Sequence, residues 1–257
     1  MKTVILAGGF GTRIAEESHL KPKPMLEIGE IPIIVHIMKI YAAQGFCDFI
    51  ICAGYKQHVV KEYFSNYFLY NSDVTFDIGL GQRTFHNKPT DDWRITVVDT
   101  GLATQTGGRV KRIAPFVGNE TFMLTYGDGV GDVDIRAMLE LHKKQGKIAT
   151  ITCYGAGQSK GIVEIKGDEV TAFREKADED NSLINIGFMA FEPEIFDMIE
   201  GDDTILEKEP MRSLIARQEL SAYVHKGFWQ CMDTLREKQH LEHLWQTGAA
   251  PWKIWKD

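Results

Sequence analysis

Two aspartates, a lysine and an arginine carry the chemistry that this 257-residue sequence can support. Asp128 stands in Tyr126-Gly127-Asp128-Gly129, just after an apolar run over 122–125, and Asp233 follows a second run over 228–232. Carboxylates delivered from two strand ends to one side of a sheet suit Mg²⁺. That ion takes one or two protein carboxylates and completes its octahedron with water and phosphate oxygens. The plainer alternative is that Asp128 shapes a turn and Asp233 caps a helix. Asp128, Asp132 and Asp134 lack the spacing and terminal glutamate of a calcium loop, so Asp132 and Asp134 are expected to start the following helix. Phosphates shared with such an ion would be met by Leu6-Ala7-Gly8-Gly9-Phe10-Gly11-Thr12-Arg13, where glycines let successive backbone N–H groups turn inward around an anion. Arg13 adds forked donors, and Pro22-Lys23-Pro24 holds an ammonium on stiffened backbone.

Other glycine-loop chemistries fail on particular residues. A dinucleotide fingerprint needs a glycine where Ile14 stands, and a Walker loop needs Gly-Lys-Ser/Thr where Gly11 leads to Thr12-Arg13. Taken together, LAGGFGTR and PKPML resemble the signature of the sugar-1-phosphate nucleotidyltransferases, which join a nucleoside triphosphate to a sugar 1-phosphate. The resemblance implies that the loop from Leu6 to Arg13, with Gly127, cradles the nucleotide, and that Lys23, Arg13 and Asp128 are catalytic. It also implies that Asp128 and Asp233 hold Mg²⁺.

Base choice falls to Thr100-Gly101-Leu102-Ala103-Thr104-Gln105-Thr106-Gly107-Gly108-Arg109. A forked guanidinium pairs with the O2 and N3 acceptors of cytosine and is spoiled by the N3–H of uracil. Arg109 is either that guanidinium or a solvated charge beside Lys111 and Arg112 on a helix start. The stretch is similar to that of the cytidylyl-transferring members of the family, which assigns Thr104 and Arg109 to the nucleotide and implies CTP and glucose 1-phosphate as substrates. The same resemblance places Gly161, Glu175, Lys176 and Asn185 at the sugar. Glu175 can accept from sugar hydroxyls while Lys176 balances the sugar phosphate, and a solvated Glu–Lys pair is the alternative. It further implies supply of CDP-sugar for surface polysaccharide (O-antigen) dideoxyhexoses and a homo-oligomer, a hexamer in the nearest resemblance. A uridylyl- or thymidylyltransferase of the same family and a non-catalytic nucleotide-sensing subunit are the rival readings.

The elements that must position these residues follow from hydrophobic pattern. Strands are expected at 3–6, 48–53, 74–78, 94–98, 122–125 and 148–154, with helices at 33–44, 56–67, 109–116 and 135–145 between them. The later half changes to antiparallel strands at 161–165, 170–175 and 184–191. Helices from Pro193 and at 205–217, strands at 220–224 and 228–232, and a last helix capped by Thr234 complete the chain. This predicts an α/β fold, a single Rossmann-like domain with a mostly parallel mixed sheet flanked by helices, plus a small antiparallel sugar-side subdomain. Residues 1–130 would serve mainly the nucleotide and 131–257 mainly the sugar. The polar stretch 79–92 is either an interface or a lid, and Trp252 and Trp255 in the tail either meet a subunit or pack back onto the core.

Composition excludes several functions. A net charge of −7 without a long basic run argues against nucleic acid and anionic membranes as partners. No apolar run approaches membrane-spanning length and no signal-peptide core follows Met1-Lys2, so a cytoplasmic protein is expected. Cys47, Cys52, Cys153 and Cys231 form no CxxC pair and read as reduced, mostly buried thiols. His36 and His225 fall within helix and strand patterns, and no Ser-His-Asp set stands out.

Overall fold

The apolar run after Met1 forms β1 (Lys2–Ala7), buried on both faces beyond its first residue. A computed structural model describes residues 1–11, 14, 21–87, 91–155, 162–174 and 183–256. A short ribbon of β2 (Glu27–Ile28) and β3 (Ile31–Pro32) leads into α1 (Ile33–Ala43) and then β4 (Asp48–Ala53). α2 (Gln57–Ser65) and the single turn α3 (Tyr67–Tyr70) precede a hairpin of β5 (Val74–Asp77) and β6 (Gln82–Phe85). β7 (Arg94–Asp99) is followed by α4 (Thr106–Arg112) and α5 (Ala114–Val117). Next come β8 (Phe122–Tyr126), β9 (Gly129–Gly131), α6 (Ile135–Gln145) and β10 (Ala149–Gly155). β11 (Ile162–Lys166), β12 (Glu169–Arg174), β13 (Leu183–Asn185) and β14 (Met189–Phe191) follow. The chain ends with α7 (Glu209–Ala216), β15 (Leu220–His225), β16 (Trp229–Cys231) and α8 (Leu235–Gln246).

Ten strands form one sheet in the order β13-β11-β12-β15-β10-β14-β8-β1-β4-β7. β7, β4, β1, β8, β10, β15 and β11 run one way, and β14, β12 and β13 run the other. The expected antiparallel set is therefore present, and it continues the main sheet instead of forming a sheet of its own. Alternation along β1 sends Ile5 and Ala7 into a core shared with α1, α6 and α8, and Val4 and Leu6 into a second core shared with α4 and α7. Both faces are thus covered by helices, as a largely parallel sheet requires.

Several boundaries differ from the hydrophobic pattern for local reasons. The helix expected at 109–116 starts earlier and breaks at Ile113, because Pro115 has no N–H to continue it. The helix expected at 205–217 begins only at Glu209, with Pro210 in its first turn. The strand expected at 184–191 is two strands, separated where Phe188 takes a left-handed backbone at φ 53°. The stretch 79–92 contains β6, and none of its described residues lines the cleft described below.

The tail packs back: Trp252 is fully buried, and its indole N–H donates to His36 Nδ1 at 3.3 Å. Cys52, Cys153 and Cys231 are buried, Cys47 is half-buried, and none of the four forms a disulfide. Burial pushes the Cys52 and Cys153 thiols up to about 12, which keeps both protonated and unreactive. Among the described residues no helix is long and apolar enough to cross a membrane.

Candidate active site

The carboxyl ends of β1 and β8 and the loop before α4 enclose a cleft of about 280 Å³, at the edge where ligands of such sheets sit. Leu6, Ala7, Gly8, Gly9, Phe10 and Gly11 form one wall. Thr104 and Arg109 stand on a second, and Lys23, Gly127 and Asp128 close the floor. Pro24, Tyr126 and the rest of the segment from Leu102 to Thr106 also line it. Of the other residues singled out in the sequence, Thr12, Arg13, Gly161, Glu175 and Lys176 lie outside the described residues. Asn185 is not part of the cleft wall; its Oδ1 accepts from Gly187 N at 3.1 Å, and its side chain reaches the Tyr126 phenol.

Asp128 and Asp233 are brought together by backbone pairing. β9 and β16 form an antiparallel ladder in which Gly129 faces Cys231, and Met232 N donates to the Asp128 carbonyl at 2.8 Å. Asp233 is not the helix cap. Thr234 caps α8 in a capping box with Glu237, whose Oε2 also accepts from Asp233 N at 2.7 Å. The Asp233 carboxylate is left facing inward. Asp134 caps α6 through Ala137 N at 2.9 Å, and Asp132 Oδ1 accepts from Phe228 N at 2.6 Å, so both are structural.

Lys23 sits on a helical turn (Lys23–Met25) entered through Pro22. Its ammonium donates to Asp128 Oδ2 at 2.6 Å and to Asp233 Oδ1. Burial, the largest influence on the ammonium, favours losing the proton. The two carboxylates more than reverse that, so its pKa is held above the ordinary value. The ammonium also marks a point between two convergent carboxylates where a cation is favoured. Asp128 lines the cleft, and Asp233 stands outside its lining, tied to it through Lys23. Two convergent carboxylates beside a phosphate-sized cleft are a donor set that fits Mg²⁺ together with substrate phosphates. Among the described residues no group of three or more His, Cys, Asp or Glu side chains could hold a metal on its own.

Arg109 is buried, which excludes the solvated alternative. Its Nη1 donates to Thr100 Oγ1 at 2.8 Å and the Gly101 carbonyl at 2.7 Å; its Nη2 donates to the Gly8 carbonyl at 3.0 Å. A fourth contact, Nη2 to the Leu102 carbonyl, is 3.3 Å. One guanidinium therefore ties the glycine loop to the loop before α4. A Cβ on Gly8 would lie 2.1 Å from Arg109 Nη1, so a side chain there would push the guanidinium off its present partners. Burial lowers the Arg109 pKa from its ordinary value.

Sequence reasoning drew only Thr104 and Arg109 from their stretch and passed over Leu102, Ala103, Gln105 and Thr106, which line the cleft with them. It also used Tyr126 only as a strand end. The phenol donates to Glu207 Oε1 at 2.6 Å, a partner from a distant segment that no local pattern could supply.

A sequence profile described as "Nucleotidyl transferase" matches residues 2–235. The chain belongs to the nucleotidyl transferase family. Within that family it is 51% identical over 257 residues to the glucose-1-phosphate cytidylyltransferase of Salmonella typhimurium, and 100% of each chain is covered. The glucose-1-phosphate cytidylyltransferase of Salmonella typhi is likewise 51% identical over 257 residues, with 100% of each chain covered. A solved UDP-glucose pyrophosphorylase complexed with UDP-glucose has a TM-score of 0.76 at 17% identity, covering 96% of this chain and 98% of that one. That likeness concerns the fold, the mixed α/β architecture of a nucleotidyltransferase.

Proposed function

We propose that the chain transfers CMP from CTP to α-D-glucose 1-phosphate, giving CDP-glucose and pyrophosphate. The observation that carries this reading is the single cleft that gathers the glycine loop, Lys23 and Asp128 in a chain 51% identical, end to end, to glucose-1-phosphate cytidylyltransferases.

The sugar phosphate is already ionised at neutral pH, so its oxygen attacks the α-phosphorus without a general base. Catalysis then consists of placing two polyanions in line and neutralising their charge. Lys23 binds the α-phosphate, the loop from Gly8 to Gly11 receives the departing phosphates through backbone N–H groups, and Arg13 is assigned to them as well. Asp128 and Asp233 would hold Mg²⁺, which when bound supplies Lewis-acid polarisation and further charge neutralisation of phosphate oxygens. Arg109 keeps the two nucleotide walls at a fixed spacing, and the face of Thr104 and its neighbours is assigned to the base. The sugar is assigned to Gly161, Glu175, Lys176 and Asn185.

The proposal extends to a cytoplasmic homo-oligomer, hexameric by resemblance, that supplies CDP-sugar for surface polysaccharide. The β5–β6 hairpin supports a subunit contact over a lid, since it leaves the cleft uncovered and exposes Ile78 at 87% and Leu80 at 70%.

Pyrophosphate release with glucose 1-phosphate and Mg²⁺, measured in parallel with CTP, UTP, dTTP and ATP, tests the reaction. A strong CTP preference is expected. Preference for another triphosphate would overturn the base assignment and keep the phosphate chemistry.

A further inference from the structure

Glu207 lies in the turn-rich segment just before α7 and does not line the cleft, yet its carboxylate grips two of the cleft's walls. Oε2 accepts from Thr106 Oγ1 at 2.6 Å, and Oε1 accepts from the Tyr126 hydroxyl at 2.6 Å. Thr106 opens α4 directly after the loop that walls the nucleotide, and Tyr126 ends β8 two positions before Asp128.

The segment around Glu207 is itself fastened to that loop. Thr106 Oγ1 accepts from Leu206 N at 2.9 Å, and Gln105 N donates to the Asp202 carbonyl at 2.8 Å. Gly108 N donates to the Thr204 carbonyl at 3.2 Å, and Arg112 holds the Asp202 carboxylate through Nε at 2.8 Å. Both hydroxyls reach Glu207 as donors.

We propose that Glu207 is a positioning residue that links the loop walling the nucleotide to the strand end bearing Asp128, so that base capture and carboxylate placement are set together. This rests on the nucleotidyl-transfer reading above. A base seated against the loop from Leu102 to Thr106 fixes Thr106. The two short hydrogen bonds through Glu207 then fix Tyr126 and, through it, the backbone that carries Asp128.

The test is a double-mutant cycle between Thr106→Ala and Tyr126→Phe, run with Glu207 intact and again in Glu207→Ala. Alanine removes both acceptor oxygens, so neither arm survives, whereas a glutamine amide can still donate to a hydroxyl that turns to accept. With Glu207 present the two substitutions should be non-additive by at least about fivefold, the scale of contacting residues in one network. In Glu207→Ala they should simply multiply. Glu207→Ala alone should raise KM for CTP at least about tenfold and leave KM for glucose 1-phosphate near wild type, and Glu207→Gln should recover part of the CTP affinity. A merely structural residue would affect both substrates alike. Additive effects in the wild-type background, or coupling that persists in Glu207→Ala, would overturn the link. The cycle is read in kcat/KM and in the Kd of CTP. A chain that bound CTP without turnover would thus sink the proposed reaction and still decide the role of Glu207.

Discussion

Lys23 neutralises Asp128 and Asp233 in the structure. In the proposed reaction those carboxylates would hold a divalent ion instead, and the ammonium would then be free to meet the phosphates of the nucleotide. Two outcomes of Lys23→Ala follow, and they point in opposite directions. Turnover should fall at least about a hundredfold, as for other lost transition-state charge contacts. Metal affinity measured without nucleotide, by Mn²⁺ spin resonance or Mg²⁺ calorimetry, should rise, because the resident cation is gone and the two carboxylates repel. A near-normal kcat would remove Lys23 from the reaction, and unchanged metal affinity would show that the carboxylates are not the metal's site. Asp128→Asn should weaken metal-dependent CTP binding, and an unaltered Mg²⁺ titration would sink the assignment from the other side. At this scale the sequence was informative where residue type limits chemistry. Asp128, Asp233 and Lys23 were singled out from two strand ends, a lysine between prolines and the family resemblance, and the structure brings the three side chains together. What Arg109 faces is a tertiary fact. Its four acceptors come from Gly8 and from Thr100 to Leu102, and nothing in the spacing says that a guanidinium so close to a base loop is occupied by carbonyls.

At the scale of elements, the placement of α4 depends on a glycine that helix propensity alone would misjudge. Gly108 is inside α4, where glycine to alanine ordinarily gains about 1 kcal/mol. Here a Cβ would lie 2.5 Å from the Asp202 carbonyl oxygen and 2.6 Å from Asp202 Cα, both backbone atoms that cannot rotate away. Overpacking of that kind costs about 1–3 kcal/mol, so the clash should win. Gly108→Ala is expected to lower stability in urea by about 1 kcal/mol net and to weaken CTP binding, because α4 carries Arg109 and Thr106. Greater stability than wild type would mean that the 202–206 segment yields easily and does not brace the helix. The same contrast explains which elements could be read in advance. β4 is a near-continuous apolar run and α6 an uninterrupted pattern of period 3.6, and both stand at their expected residues, 48–53 and 135–145. β6 was missed because Gln82–Phe85 is solvated on both faces, so no alternation marks it. The break at Phe188 was missed because its left-handed backbone is held by burial and by stacking on Tyr41, contacts made across the fold.

At the scale of the whole molecule, the tail, α8 and α1 meet around one buried histidine. His36 Nε2 donates to the Ile28 carbonyl at 2.9 Å while Nδ1 accepts from the Trp252 indole, an arrangement that requires the neutral ring. Trp245 stands edge-on to it at 4.7 Å between ring centres, and Trp255 lies 5.8 Å away. Burial lowers the His36 pKa to about 4; of the charged groups facing it, Lys39 adds to the depression and Glu242 opposes it. The unfolded chain binds this proton at about 6.5 and the folded chain only near 4, so between those values the unfolded state holds more protons. The contribution is therefore complete above about pH 6.5, declines as pH falls, and is lost near pH 4, by roughly 3 kcal/mol at about 1.4 kcal/mol per pH unit. Urea unfolding at pH 7 and pH 4.5 should show this loss in the wild type and a smaller one in His36→Gln, whose side chain does not titrate. Other titrating groups act equally on both proteins, so the difference isolates the histidine. Parallel losses would mean that the tail does not depend on a neutral His36, and that Trp252 is held by apolar packing alone.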